Sequence, residues 1–498
     1  MAGLKTPRKT HAALARCRNA CVTHAGRAQA GRASRRRGCG RRWAVGLLAV
    51  AMVGCAHYPV NARLDQYAPT EGYRLENLSA PDNSGSLFVV LAFSGGGTRA
   101  AALAYGVLEQ LQQTQIAWEG QRKSLLDEVD LISAVSGGSY TAAYYALYRE
   151  RLFSDFERDF LRRNVQGQLT RKLLAPGNLV RTVSPTFGRS DLVAAYLDQH
   201  LFHGATFGDL QQQGRPFVLL NASDMSLGTR FEFTQDQFDL LCSDLTTYPL
   251  ARAVAASSAV PVVFSPLTLR NYAGSCGYHE PAWVQTALDD RAASARRYYQ
   301  ASGLRSYLDR DQRPYIHLLD GGISDNTGLR ALLERIQTEH DPQRLPHALG
   351  VATLRKAVLI MVSAETPPSR QLDRSEAVPS IFQVIRNVKD IPIGRYSFET
   401  TELLRARFEA LARDSGKLDP NFYLAEVTFE ALSDPLEHKR FVDIPTSFAL
   451  PAADVDALRQ VAGRLLRESP GFRRLLQDLA AKSEPSSQVA IEPPTDNG

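Results

Sequence analysis

Three short segments combine residue types that can carry acyl-transfer chemistry. In Asp130-Leu131-Ile132-Ser133-Ala134-Val135-Ser136-Gly137-Gly138-Ser139 an apolar strand pattern runs into Val-Ser-Gly-Gly and then a helix pattern. A sharp turn there lifts the Ser136 hydroxyl off a sheet, as in a nucleophile elbow, and the small Gly138 lets strand and helix pass. The usual pattern is Gly-x-Ser-x-Gly, and Ala134 stands at its first glycine. In Phe93-Ser94-Gly95-Gly96-Gly97-Thr98-Arg99 three glycines fall between a strand and a helix, so Gly95, Gly96 and Gly97 offer backbone N–H groups at a helix N-terminus to negative charge. Such a loop suits a phosphate, or the oxyanion of a tetrahedral acyl intermediate. In Ile316-His317-Leu318-Leu319-Asp320-Gly321-Gly322-Ile323 a carboxylate at a strand end, followed by Gly321 and Gly322, is placed to accept a serine proton. Taken singly, Ser-Gly-Gly and Asp-Gly are also ordinary turn sequences. The nucleotide readings fit poorly: the chain has no Gly-x-x-x-x-Gly-Lys-Ser/Thr, and Ala100 stands where a dinucleotide loop closes on glycine.

The elements around these segments explain how they meet. Leu87 to Phe93 is continuously apolar, as in a strand buried on both faces, and Ala100 to Gln113 follows as a helix. Val129 to Val135, Phe217 to Leu220, Ile316 to Leu319 and Ala357 to Val362 read as further strands, and Tyr140 to Arg151 as a helix. This alternation predicts an α/β fold with a mostly parallel, helix-flanked sheet. All three segments sit at predicted strand C-terminal ends, the rim where open α/β sheets place ligands. Residues 152–212 and 279–313 read as lid or insertion material, and Tyr423 to Phe429 as one more strand.

Charge divides the chain in two. Of 58 Lys and Arg, twelve lie in residues 1–54, which hold no Asp or Glu; the remainder carries 46 basic against 52 acidic residues. A mildly acidic body without a basic stripe gives nucleic-acid binding no support. Arg35-Arg36-Arg37 and Arg41-Arg42 precede a dozen apolar residues, Trp43 to Gly54, too few for a membrane span and suited to a signal-peptide core. The run ends in Met52-Val53-Gly54-Cys55, which resembles a lipobox, so Cys55 is expected to carry lipid; an uncleaved inner-membrane anchor is the alternative. The expected organisation is a lipoprotein signal at 1–54, a turn-rich tether at 55–85, a catalytic domain at 86–365, a C-terminal extension at 366–480 and a disordered tail at 481–498. An exported chain meets an oxidising compartment, so Cys242 and Cys276, the two cysteines of the body, are expected to pair.

As a set, the segments resemble the patatin-like phospholipase family. Its marks are a Gly-rich oxyanion loop, a Gly-x-Ser-x-Gly elbow and an Asp-Gly-Gly/Ala segment. Asn221-Ala222-Ser223-Asp224 with Gly228-Thr229-Arg230-Phe231, and Ala251 to Pro261, also look like that family; the likeness covers roughly residues 87–330. The chain departs at Ala134 and at Ser94, where the family more often has Gly and Asp. The resemblance implies a three-layer α/β/α core with a C-terminal α/β extension, and hydrolysis of acyl esters by a dyad of Ser136 and Asp320 without a catalytic histidine. A rival Ser-Asp-His triad would draw on His340, His347 or His438. Arg99 is a candidate contact for an anionic head group or for a structural ion pair. The expected substrate is a phospholipid or related acyl ester, met at a membrane of the bacterial envelope through the N-terminal anchor, with no metal or organic cofactor and no nucleic acid. A non-catalytic lipid-binding lipoprotein and an esterase or thioesterase for soluble donors are the competing readings.

Overall fold

A computed structural model describes residues 56–78, 80, 83–338, 354–367, 372–414 and 421–480. The leader, Cys55, His340, His347 and the 481–498 tail lie outside these residues.

The apolar runs become strands β1 (Leu87–Phe93), β2 (Val129–Val135) and β3 (Phe217–Asp224), joined by β4 (Arg230–Glu232), β5 (Leu267–Arg270), β6 (Tyr315–Asp320), β7 (Lys356–Ser363) and β8 (Asn421–Thr428). They form one eight-stranded sheet in the order β8-β7-β1-β2-β3-β6-β5, with β4 paired to β3. The five strands from β8 to β3 run parallel, while β4, β5 and β6 are antiparallel to their neighbours. Every residue of β1, β3 and β7 is buried, which requires cover on both faces and accounts for their lack of polar alternation. The fold is therefore α/β with a central, mostly parallel sheet.

Helices α1 (Gly97–Gln113) and α2 (Gly137–Tyr148) leave β1 and β2 directly, so both begin at the parallel rim. Next come α3 (Val165–Leu174), α4 (Pro176–Thr182), α5 (Arg189–Leu197) and α6 (Leu250–Ser257). After the sheet's antiparallel end follow α7 (Ile381–Asp414), α8 (Ala452–Glu468) and α9 (Pro470–Ala480). Residues 366–480 thus add an edge strand to the same sheet. They also lay α8 along α1, where Arg459 pairs with Glu109 at 2.7 Å and its guanidinium covers the Tyr105 ring.

The structure corrects the expected tether. Residues 56–78 are packed on the body: Ala62–Arg63 pair with Ser243–Asp244, Tyr58 N–H donates to Thr186 O, and Tyr73 stacks on Phe217 with centroids 4.7 Å apart. Arg74 is buried against Asp239. The prolines and glycines of this stretch signal turns correctly, but Tyr58, Tyr73, Leu75 and Leu78 bury their side chains and anchor it.

Cys242 and Cys276 form a disulfide with Cα atoms 5.5 Å apart and a sequence separation of 34. Closing a loop of that length restricts the unfolded chain by about 3–4 kcal/mol in the entropy model. The double variant Cys242→Ala/Cys276→Ala should lose about that much unfolding free energy in denaturant titration. A loss under about 1 kcal/mol would mean the link contributes little to this fold.

Candidate active site

β2 ends at Val135, and the chain must reverse within one residue to start α2. Ser136 makes that turn at φ 48°, ψ −116°, a region non-glycine residues rarely adopt. The turn is held from three sides. Ser136 N–H donates to Ser257 Oγ at 2.8 Å, and Gly138 N–H donates to Ser94 O at 3.2 Å. Gly137 lies directly on the glycine loop, where an added Cβ would fall 2.2 Å from Gly97 O. Ala134, in place of the expected glycine, is fully buried between Phe93 and Leu220 in the sheet register, so its methyl is accommodated without displacing the turn.

The carboxylate arrives from the opposite direction. β6 is antiparallel to β3 and stops with Asp320 opposite Ala222, one residue from the Val135–Asn221 pair that precedes Ser136. The rim argument from sequence therefore holds for the glycine loop and Ser136, while Asp320 descends to them from an antiparallel strand. Ser136 Oγ donates to Asp320 Oδ2 at 2.9 Å. Gly322 N–H donates to Asp320 Oδ1 at 2.8 Å, and Gly321 N–H donates to Ser257 O at 3.0 Å. Burial pushes the Asp320 carboxyl up to about 6, against the opposing pull of the Gly322 and Ser136 hydrogen bonds and the more distant Lys389 charge. Such a carboxyl is ionised at neutral pH yet far more basic than an exposed aspartate.

The three glycines divide. Gly95 N–H donates to Asn326 O at 2.9 Å, so it is spent on holding the loop and is removed from the expected oxyanion donors. Gly96 and Gly97 have φ 142° and 62°, which only glycine adopts freely, and as cap and first residue of α1 their N–H groups have no acceptor within the helix. Thr98 N–H donates to Ser447 O at 2.8 Å. The Arg99 guanidinium, buried and lowered to about 10 by desolvation, donates to Ile444 O and Thr446 Oγ1. Arg99 therefore clamps the 444–446 loop onto the glycine loop, and the Glu365 carboxylate also attracts its charge, in line with the structural alternative for this residue.

Three residues without an assigned role in the sequence complete the site. Ser257 Oγ donates to Asn221 O at 2.6 Å and accepts from Ser136 N–H; with its proton committed, Ser139 Oγ donates to it at 2.8 Å. Asn326 carries the Gly95 bond, and Ser447 seals the start of α1. Ser257 lies within the Ala251–Pro261 stretch and Asn326 six residues after Asp320, so position hinted at both. Ser447 is about 350 residues from Gly97, and no local pattern announces it.

Among the described residues no histidine bonds Ser136 or Asp320; His438 is on the surface helix Pro435–Val442. Among the same residues no group of three His, Cys, Asp or Glu converges as metal ligands. The arrangement is a hydroxyl sharing its proton with a buried, basic carboxylate beside free N–H groups at a helix start. It can form and break an acyl ester.

Residues 91–333 match the family model of patatin-like phospholipases. Among solved structures, the human GIVD cytosolic phospholipase A2 is similar at 14% identity and a TM-score of 0.42, covering 89% of this chain and 67% of that one. The same human enzyme in complex with methyl gamma-linolenyl fluorophosphonate is similar at 13% identity and a TM-score of 0.39, covering 80% and 59%. VipD from Legionella pneumophila is similar at 11% identity and a TM-score of 0.23, covering 81% and 71%. No curated protein sequence matches the chain significantly.

Ser257→Ala strands the buried Ser136 N–H and Asn221 C=O. Unfolding free energy should fall by about 2–3 kcal/mol, since each orphaned buried group costs about 1–3. An unchanged denaturation midpoint would show that the hydroxyl does not hold the elbow.

Proposed function

Starting from a patatin-like phospholipase domain over residues 91–333, we propose that the protein is a membrane-tethered serine hydrolase of phospholipid or related lipid acyl esters. The observation that carries the reading is the 2.9 Å bond from Ser136 Oγ, lifted at φ 48°, to the buried Asp320. In the proposed cycle Asp320 takes the Ser136 proton as Oγ attacks the ester carbonyl. Gly96 and Gly97 N–H groups receive the oxyanion, each such donor being worth about 3–4 kcal/mol in the transition state. Asp320 returns the proton to the leaving alcohol, leaving an acyl-serine. Water then attacks, Asp320 accepts its proton, and the fatty acid departs as Ser136 is restored. A lipid on Cys55 would hold this site at its substrate. The family match supports lipid acyl hydrolysis in general; the dyad, the phospholipid preference and the tether are our assignments.

A fluorophosphonate with a long acyl-like chain should label the full protein once, at Ser136, by mass spectrometry, and should not label Ser136→Ala. Labelling elsewhere, or none with ester turnover intact, would sink the nucleophile assignment. Asp320→Asn should lower kcat by at least about a hundredfold, the usual worth of a positioned base. It should not lower the unfolding midpoint, because it removes a desolvated charge. An Asn variant that is both active and less stable contradicts both halves of the argument.

The pH profile has a defined sign. Only ionised Asp320 accepts the proton, and its carboxyl is raised to about 6. Log kcat/KM on a neutral, soluble ester should therefore climb with unit slope below about pH 6 and flatten above it. A plateau reaching down to about pH 4 would place the base elsewhere.

A further inference from the structure

We propose that α3, α4 and the neighbouring Pro261–Val263 turn form a surface that docks on an anionic phospholipid bilayer. The proposal deepens the lipid-hydrolase reading, and its test is independent of catalysis.

Between Phe160 and Ser190 the chain has six basic residues, Arg162, Arg163, Arg171, Lys172, Arg181 and Arg189, and no Asp or Glu. Arg162 is used in ion pairs with Glu157 and Asp456, but Arg171, Lys172, Arg181 and Arg189 have no carboxylate partner among the described residues. The chain beyond residue 54, which carries more acidic than basic residues, has thus concentrated cations without carboxylate partners on α3, α4 and the start of α5. The α3–α4 pair exposes apolar side chains: Leu174 is 62% exposed, Leu179 45% and Val183 72%. Its internal order is ordinary, with Asn164 capping α3 and Pro176 opening α4, so the exposure is not that of an unfolded segment. Cations around exposed aliphatic side chains on short amphipathic helices match a headgroup–acyl boundary.

The Pro261–Val263 turn continues this surface. Arg189 donates to Val262 O at 3.0 Å, and Val262 and Val263 are 55% and 56% exposed. Val262 also sits at φ 73°, where a β-branched residue is strained. Folding alone gives no reason to hold two valines in water at that cost. The turn follows Ala259, whose carbonyl accepts from Asp320 N–H at 3.0 Å. On the other side, Gln166 of α3 accepts from Ser447 Oγ at 2.9 Å, and Ser447 in turn caps the glycine loop. The basic, apolar surface therefore borders both the base and the oxyanion loop.

The course of the chain identifies the occupant. Ala56 O accepts from Ser184 Oγ at 2.6 Å and from Thr186 Oγ1 at 2.9 Å, immediately after α4. Residue 55 is thus covalently one step from this surface, with no slack between. A lipid on Cys55 would enter the bilayer beside α4, bringing Leu179, Val183 and the unpaired cations to the headgroups. A protein partner would have no such requirement for the chain to emerge at its edge.

The test is partition of the full chain, in a Ser136→Ala background, between buffer and vesicles. Vesicles of phosphatidylcholine with roughly 30% phosphatidylglycerol are compared with pure phosphatidylcholine, at low and high salt. Binding should favour the anionic vesicles and weaken with salt. Arg171→Gln/Lys172→Gln/Arg181→Gln should reduce it on the order of a hundredfold, about fivefold per cation. Leu179→Ser/Val183→Ser should reduce binding while keeping its salt dependence. Thermal unfolding of each variant confirms the fold, and the two sets are independent should one fold poorly. Variants that bind as the parent does, or a parent equally bound to neutral vesicles, overturn the proposal. Loss of ester turnover in the Ser136-intact protein would instead count against the hydrolase reading and leave the vesicle result standing.

Discussion

Ser136 is held at φ 48°, ψ −116°, a conformation that costs a non-glycine residue about 1–3 kcal/mol, and the surrounding structure exists in large part to keep it there. Its N–H is bound by Ser257, and the next residue is wedged against Gly97. Ser257 in turn accepts from Ser139 and donates to Asn221 on the neighbouring strand. One hydroxyl therefore ties α2, α6 and β3 to the turn. Because its single donor and its acceptor lone pairs are all used, none of these elements can shift without orphaning a buried group. Rigidity at Ser136 follows from hydrogen-bond accounting as much as from packing.

The second constraint is electrostatic. In the proposed dyad no histidine stands between serine and carboxylate, so the carboxylate itself must be basic. The structure achieves this by burying Asp320 with two hydrogen bonds and no contacting cation. Three or more donors, or an arginine, would stabilise the charge and return the group to the normal range. The antiparallel direction of β6 serves the same end. A parallel strand would deliver Asp320 at the open rim, whereas β6 runs downward from the rim and leaves it level with the last β2–β3 pair.

The sequence made the parallel half of the sheet legible because strands buried on both faces are written as mostly apolar runs: Leu87–Phe93 and Phe217–Leu220 are unbroken, and Val129–Val135 is interrupted only by Asp130 and Ser133. Of its antiparallel end only β6 was legible, as Ile316–Leu319. Arg230–Glu232 and Leu267–Arg270 are three and four residues long, too short for any period to emerge, and their place is set by pairing with β3 and β6. Ser136, Asp320 and the glycines stood out because turns restrict residue type. Ser257 and Asn326 act through bonds that only the fold creates, so their positions in the Ala251–Pro261 stretch and after Asp-Gly-Gly were a hint, but nothing in them signalled what they bond. The 56–78 segment was misread for the converse reason: turn residues dominate its composition, but a few aromatic side chains decide its burial.

The C-terminal third changes what the site depends on. Gly97 and Thr98 begin α1, and an exposed helix start beside a glycine-rich turn would have many conformations available. Ser447 O takes the Thr98 N–H, and Arg99 reaches the 444–446 loop with its buried guanidinium. The loop's carbonyl and hydroxyl receive that buried charge, and the Glu365 carboxylate helps to balance it. The loop is positioned in turn by α8, which follows it and packs along α1, and by β8, which extends the sheet beyond β7. The glycine loop thus lies between the elbow on one side and a loop some 350 residues later on the other. Its two free N–H groups can be fixed in direction only when both are in place. The matched segment ends at residue 333, before any of these later elements, so the geometry of its glycine loop belongs to the whole chain and not to that segment alone.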